Sequence, residues 1–152
     1  MVKLQAYWVH GSSAQMEREG YFISKKRCGY GAFFQTHGKE WIHFAIPTPV
    51  IVNGKRSSLK KIFVFYKTEG TAKITAVHVY DGIKKIKEFN NISIAGDHSK
   101  TVDSNNSWMI TPTISIEFGL GISVHVDFGP PNKSGVPYIW FTTAGADFET
   151  PD

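Results

Sequence analysis

The stretch from Lys61 to Phe89 constrains the fold more than any other part of the chain. Its first run, IFVFY, is rich in β-branched and aromatic residues and apolar on both faces, which is typical of a central strand covered on two sides. Asp81-Gly82, later in the stretch, is a dipeptide suited to a tight hairpin turn. The run that follows carries lysine at 84, 85 and 87, as edge strands do when they are protected from pairing with other chains. The stretch therefore predicts an antiparallel meander that runs from a sheet interior to a sheet edge.

A middle strand is predicted between those two runs. Strict alternation would place one set of side chains on one face and a second set on the other: Ile74, Ala76, His78 and Tyr80 against Lys73, Thr75, Val77 and Val79. On this interpretation His78 is a partly buried structural histidine whose ring nitrogens are hydrogen-bonded to neighbours.

Similar strand-like runs lie on both sides of the meander. VKLQAYWV alternates in the manner of a half-buried strand, with one face formed by Val2, Leu4, Ala6 and Trp8. Asn53-Gly54 predicts a second hairpin turn. In the long apolar run before Phe128, Gly119 and Gly121 mark either a bulge or a point where the chain passes to another sheet. Residues 90–107 are rich in Asn, Asp, Ser and Gly and predict the longest loop.

These runs amount to about eight or nine strands, and no segment has a 3.6-residue apolar periodicity. Short strands with frequent turn signals indicate a sandwich or a barrel. The fold class is therefore predicted to be all-β, an antiparallel two-sheet sandwich of jelly-roll-like type. A chain of 152 residues is also predicted to form a single domain over residues 1–152.

Charge and cysteine content narrow the classes of function. Seventeen Lys and Arg against 13 Asp and Glu give a net charge of +4, a weak bias that does not favour a nucleic-acid partner. Cys28 is the single cysteine, which excludes an intrachain disulfide and a cysteine-based zinc site. With no leader pattern and no run of ~20 apolar residues, we expect a cytoplasmic protein without a membrane partner. The sequons at Asn91, Asn105 and Asn132 are then chance occurrences.

Several segments between residues 41 and 148 carry a resemblance to known proteins. They are WIHFAIPTPVIVNGKR, KIFVFYKTEGTAKITAVHVYDG, EFGLGISVHVDFG and TTAGADF. These segments resemble those of small, uncharacterised bacterial single-domain β-sandwich proteins with no assigned activity. The resemblance implies no catalytic residues.

His125-Val126-Asp127 is the sharpest local pattern for chemistry. Residues two apart on a strand share a face, so this imidazole and carboxylate would supply two ligands of the facial triad that binds non-haem Fe(II). Those oxygenases take their second histidine from a later strand, and no histidine follows His125. A hydrogen-bonded polar pair is the favoured interpretation, and a metal-dependent enzyme using His125 and Asp127 is an alternative.

The predicted loop supplies a second set of metal ligands. Hard oxygen donors favour Ca²⁺, and the residues concerned are Asp97, His98, Asp103 and Asn105. The EF-hand pattern is not met, and Asx-rich turns have the same composition without a metal. We therefore predict no cofactor, with Ca and Fe as alternatives.

The function predicted first is a non-enzymatic binding or interaction module that binds a carbohydrate or a protein through exposed aromatic side chains. The residues predicted to form its ligand site are Trp41, His43, His125, Asp127 and Trp108. The alternative is a homo-oligomeric structural protein that self-associates through a sheet face or an exposed edge. An aromatic content of 14% with only 20% charged residues agrees with either function.

Overall fold

Two long strands, β8 (Ser58–Glu69) and β14 (Tyr138–Pro151), pair along most of their lengths and form the centre of the larger sheet. The structure, a computed structural model, describes residues 1–130 and 135–152, so the Asn132 sequon lies outside the described residues. The other strands in chain order are β1 (Val2–His10), β2 (Gln15–Met16), β3 (Ser24–Cys28), β4 (Gly31–Gln35), β5 (Gly38–Ile46), β6 (Ile51–Val52), β7 (Lys55–Arg56), β9 (Lys73–Asp81), β10 (Lys84–Phe89), β11 (Asp97–His98), β12 (Ser107–Ser115) and β13 (Leu120–Gly129). Single 3₁₀ turns cover Gly11–Ser13 and Glu19–Tyr21.

The strands form a seven-stranded sheet, a five-stranded sheet and the small β6–β7 hairpin. Eight of them pair in a nested order: β4 with β14, β5 with β13, β8 with β12, and β9 with β10. All four pairs are antiparallel, and the partners of the first and third pairs lie in the larger sheet while those of the other two lie in the smaller one. This nested pairing across two sheets is the jelly-roll arrangement. The predicted fold class is therefore confirmed, with these eight strands and six further ones.

Strand β8 is apolar on both faces, as its sequence predicts. Ile62, Val64 and Tyr66 point into the core between the sheets, whereas Phe63 and Phe65 lie on the outer face and are still buried. The ring of Trp8 covers the outer face, with its centroid 4.6 Å from that of Phe63. A central strand covered on both sides is thus confirmed for this run.

The predicted turns and the predicted edge are also present. Asn53 and Gly54 have φ values of 52° and 75°, the two positive values that a type I′ turn needs. Between β9 and β10 the turn residues are Gly82, with φ of 59°, and Ile83. This is one residue later than the predicted Asp81-Gly82, because Asp81 still pairs with Lys84 in the ladder. In the described part of the chain, the lysine-rich β10 pairs with β9 alone and so forms a sheet edge.

The predicted alternation of β9 is wrong because the strand contains a bulge. Its pairing with β13 shifts register between His125, which lies opposite Ala76, and Val126, which lies opposite Ile74. After this shift Val77 and Val79 point into the core, and His78 and Tyr80 lie on the outer face. An inserted residue moves every side chain beyond it to the opposite face of the sheet.

Strand β1 is half-buried, as predicted, but the buried face is not the more apolar one. Tyr7 and Val9 pack against the core, whereas Val2 and Leu4 are each 60% exposed. Trp8 lies on the same outer face and is 38% exposed. An exposed strip of apolar side chains therefore runs along this strand.

The apolar run around Gly119 is two strands rather than one bent strand. β12 ends at Ser115 in the larger sheet, and β13 begins at Leu120 in the smaller sheet. At Gly119 passage between sheets is the alternative observed, whereas Gly121 lies within β13, opposite Ala45 and Tyr80.

Candidate ligand-binding groove

The outer face of the five-stranded sheet carries a groove of about 370 Å³. It is lined by Glu17, Trp41, His43, His78, Tyr80, Lys85 and Ser123. The register of three strands explains the convergence, because Ser123 on β13 lies opposite both His43 on β5 and His78 on β9. A second depression of about 580 Å³ lies beside it, past His125.

Trp41 forms the aromatic wall of the groove. Its ring centroid lies 4.8 Å from that of His78 and 4.7 Å from that of His125, with the ring planes inclined by 48° and 55°. Strand β5 fixes this position, since Trp41 lies directly opposite His125 in the ladder. The side chain is partly exposed, so its indole remains accessible beside the groove.

A hydrogen-bonded row crosses the groove. Glu17 Oε1 lies 3.1 Å from His43 Nε2, and His43 Nδ1 lies 2.7 Å from Ser123 Oγ. The Glu17 backbone N–H donates to the Trp41 carbonyl at 3.1 Å, which fixes the segment that carries the carboxylate. A neutral imidazole has one donor and one acceptor nitrogen, so both of its positions are used in this row. The row is therefore held in place before any ligand arrives.

His125 lies at the boundary between the two depressions. Its Nδ1 is 2.6 Å from the hydroxyl oxygen of Thr75. Burial lowers the pKa of His125, and repulsion from Lys39 lowers it further, while Asp127 partly opposes the shift. The neutral imidazole is thus the favoured form at neutral pH.

Of the five residues predicted for the ligand site, the structure brings three together. Trp41, His43 and His125 share one surface. Asp127 is on the same face but lies opposite Lys39 and Lys73, one row beyond Trp41, and accepts the Gly129 N–H at 2.9 Å. Trp108 belongs to β12 in the other sheet, and its ring centroid lies 6.2 Å from that of Phe89 at the end of β10.

Several residues of the groove were missed by the sequence reasoning. Glu17 lies in a polar segment with no motif, and it reaches the site because the two-residue strand β2 pairs with β5. His78 and Tyr80 lie on the face of β9 opposite to the one that strict alternation predicts. Ser123 had an available signal, since it lies two residues before His125 on one strand.

The residues proposed as calcium ligands serve their own loop. His98 Nδ1 lies 2.7 Å from Asp103 Oδ2, and the second oxygen of that carboxylate accepts the Asn105 N–H at 2.7 Å. Asp97 accepts the backbone N–H and the hydroxyl of Ser99. Burial alone would raise the pKa of Asp103, but the bonds from His98 and from backbone N–H groups hold that pKa below its usual value. The carboxylates are therefore engaged as charged acceptors within the loop.

Within residues 1–130 and 135–152, no three or more His, Cys, Asp and Glu side chains are grouped closely enough to hold a metal ion. The His125–Asp127 pair consequently finds no third ligand of these types in that part of the chain. The described residues also contain no helix long and apolar enough to cross a membrane.

A second group of aromatic side chains lies on the outer face of the seven-stranded sheet. Phe33 is within 4.9 Å of Trp140 and 5.1 Å of Tyr138, and the ring of Tyr30 lies 5.0 Å from that of Trp140. The Lys26 ammonium is 5.2 Å from the Trp140 ring. The ring planes are inclined by 34° to 56°, so the group does not present one flat surface.

The comparisons with known proteins identify a family. The chain belongs to a family of unknown function, DUF6623, whose match covers residues 2–137. The expectation of a family without assigned activity is thereby confirmed. No curated protein matches the chain. Among solved structures it is similar to TmCBM61 in complex with beta-1,4-galactotriose, at 12% identity over 95% of this chain and 86% of that chain, with a TM-score of 0.45.

Proposed function

We propose that this DUF6623 protein is a non-enzymatic binding module that holds an uncharged saccharide in the groove on its five-stranded sheet. The observation that carries the proposal is the partly exposed Trp41 ring beside the fixed row of Glu17, His43 and Ser123. An aromatic face next to ordered polar groups is the combination that a sugar ring with one apolar face requires.

The dimensions of the groove suit a small ligand. Its volume of about 370 Å³ lies at the lower end of the range of small-molecule sites, which is ~300–1,000 Å³. The adjoining depression beyond His125 would extend the site for a longer chain of sugar units.

The polar groups of the groove suit hydroxyl groups. Each hydroxyl both donates and accepts a hydrogen bond, and the groove supplies an acceptor in Glu17, a donor in Lys85, and groups of both kinds in Tyr80 and Ser123. The lining has one carboxylate, Glu17, and one ammonium group, Lys85, which already pairs with Glu88 at 2.6 Å, so an uncharged ligand is favoured over a polyanion. Because the Glu17–His43–Ser123 row is already hydrogen-bonded, little side-chain ordering would oppose binding.

Screening on an array of neutral mono-, di- and oligosaccharides, followed by calorimetric titration of the best binder, tests the proposal. We expect Trp41→Ala to weaken binding about tenfold or more, equivalent to about 1.4 kcal/mol, because the stacking face is lost. Tyr30→Ala is the matched control, since it removes a 63% exposed aromatic ring from the opposite sheet.

Circular dichroism of both variants should match that of the wild-type protein. A wild-type protein that binds nothing on the array, or an affinity equally reduced by Trp41→Ala and Tyr30→Ala, would show the proposal to be wrong.

A further inference from the structure

The edge strands of the two sheets are protected from pairing with other chains, with one exception. β3 carries consecutive cations at Lys25, Lys26 and Arg27, and β10 carries three lysines and a register shift. β12 shifts register between Met109 and Ile114 and contains Pro112, which has no N–H to donate. β2 and β11 are only two residues long. Charge, irregularity and shortness are the features that keep sheet edges from associating.

Strand β1 has none of these protections. It is nine residues long, and its pairing with β14 runs from Val2 opposite Pro151 to His10 opposite Thr143 without a register shift. In the described part of the chain β14 is its only strand partner, so its other edge is open. Lys3 is its one permanently charged side chain, and its ammonium already lies 3.6 Å from Asp152.

The backbone groups at the open edge can be assigned from one hydrogen bond. The Asp152 N–H donates to the Met1 carbonyl at 3.2 Å, so Met1 and Asp152 form a hydrogen-bonded pair. Such pairs alternate along an antiparallel ladder, which directs the N–H and C=O groups of the even-numbered residues away from β14. Leu4, Ala6 and Trp8 therefore present backbone donors and acceptors at the edge and apolar side chains on the adjoining outer face.

We propose that β1 pairs antiparallel with β1 of a second copy of this chain, about a two-fold axis at Ala6. The two seven-stranded sheets then become one continuous sheet. In this register Leu4 lies opposite Trp8 of the partner subunit, and both are on the outer face. The indole leans toward Gly145 and Phe63 of its own sheet, so Leu4 packs beside it. Lys3 lies opposite Val9 of the partner subunit, at the far end of the strand from the second Lys3.

A second copy is the partner that fits because the strand is complementary to itself in this register. Leu4, Ala6 and Trp8 meet apolar residues across the axis, and the two Lys3 side chains are kept apart. The open N–H and C=O groups of these three residues meet each other. An isologous two-fold interface is also the commonest form of homo-oligomer.

The symmetry of this dimer also fixes where the two grooves lie, a step that rests on the proposed function. The two-fold axis of an antiparallel strand pair is perpendicular to the sheet, so both five-stranded sheets lie on the same side of the dimer. Two saccharide grooves would then face one surface.

Sedimentation velocity over a concentration series tests the dimer. We expect the wild-type protein to pass from monomer to dimer and Ala6→Lys to remain monomeric, because two ammonium groups would meet at the axis. Ala6 is exposed on the outer face, so the fold should be retained. The control is Ile83→Lys, at a fully exposed apolar residue in the β9–β10 turn, which should still dimerise.

Disulfide trapping tests the register. Ala6→Cys should give a covalent dimer on mild oxidation in a Cys28→Ser background, since Cα atoms of a hydrogen-bonded pair are ~5.5 Å apart, within disulfide range. Ile83→Cys in the same background should not. A wild-type protein that stays monomeric at every concentration, an Ala6→Lys variant that still dimerises, or equal trapping by both cysteines would overturn the proposal. None of these outcomes depends on whether the groove binds a sugar.

Discussion

Two glycines in the long strands differ in what a β-carbon would meet. At Gly145 on β14, a Cβ would lie 2.4 Å from the Trp8 ring, because the indole lies directly over this residue. At Gly121 on β13, the nearest atoms would be 3.9 Å and 4.0 Å away, which is ordinary van der Waals contact. Gly145 is thus required by packing and Gly121 is not.

Gly145→Ala should therefore destabilise the protein by about 1–3 kcal/mol, because the methyl group displaces Trp8 from its place over Phe63. Gly121→Ala is the matched control and should cause no loss of stability beyond about 0.5 kcal/mol. Urea denaturation followed by circular dichroism and tryptophan fluorescence measures both. Equal stability of the two variants would contradict the packing role of Gly145.

Asp81 is a buried carboxylate that binds three backbone groups. It is 5% exposed, and its oxygens accept the N–H groups of Glu117, Phe118 and Gly119 at 2.8, 2.9 and 3.1 Å. Burial alone would raise the pKa of Asp81, but these three bonds hold it below the usual value. Its charged form therefore fastens the segment between β12 and β13 to the end of β9.

Replacing Asp81 by alanine should lower the free energy of unfolding at pH 7 by about 1–3 kcal/mol, because three N–H groups lose their acceptor. Because the pKa of Asp81 is lower in the folded protein, its charged form stabilises the fold above the unfolded-state pKa of about 3.9. This stabilisation is lost as the pH falls through the lower folded-state pKa. The difference in free energy of unfolding between the wild-type protein and Asp81→Ala should therefore become smaller below about pH 4. Denaturation at several pH values measures it, with Glu19→Ala, at a 70% exposed carboxylate, as the control. A difference that stays constant down to pH 2 would contradict the assigned role.

At the level of the strands, the local sequence predicts turns and sheet edges well, but it predicts poorly which face of a strand is buried. Asn53-Gly54 forms its turn through its own backbone conformation, and the lysines of β10 mark that strand as an edge. Both features depend on a few neighbouring residues, so the sequence is sufficient to predict them. The bulge in β9 leaves no such signal, because Ala76, Val77 and Val79 are all apolar and fit either alternation. The face of β1 is likewise decided by its tertiary partners, since Tyr7 and Val9 fill the core while the more apolar side is exposed.

The same limit applies to the groove. The sequence predicts Trp41 and His43 together because they alternate on one strand, and it predicts His125 from its own pattern with Asp127. That β13 lies beside β5 is known only from the structure. Glu17 joins them through a short pairing of β2 with β5 that no periodicity indicates. Trp108 is aromatic and strand-borne like Trp41, yet its strand belongs to the other sheet. Sheet membership is set by long-range pairing, which the sequence pattern does not encode locally.

At the scale of the whole molecule, the nested pairing of the jelly roll separates two surfaces. The groove occupies the outer face of the smaller sheet, and the open strand β1 lies at an edge of the larger one. Pairing through β1 therefore leaves the groove uncovered. A dimer would present two grooves at a fixed separation, which favours binding to a surface that displays many copies of the same saccharide.

This bivalency predicts different behaviour in two assay formats. On a densely coated saccharide surface the wild-type protein should bind ~10²–10⁴-fold more tightly than in solution, because the second groove binds at a high effective concentration. Ala6→Lys should lose most of that gain and keep the solution affinity, since residue 6 is remote from the groove. Trp41→Ala should lose affinity in both formats. Surface plasmon resonance and calorimetry measure the two quantities, with Ile83→Lys as the control. If Ala6→Lys weakened binding equally in both formats, β1 would be acting on the groove itself and the bivalent arrangement would be wrong.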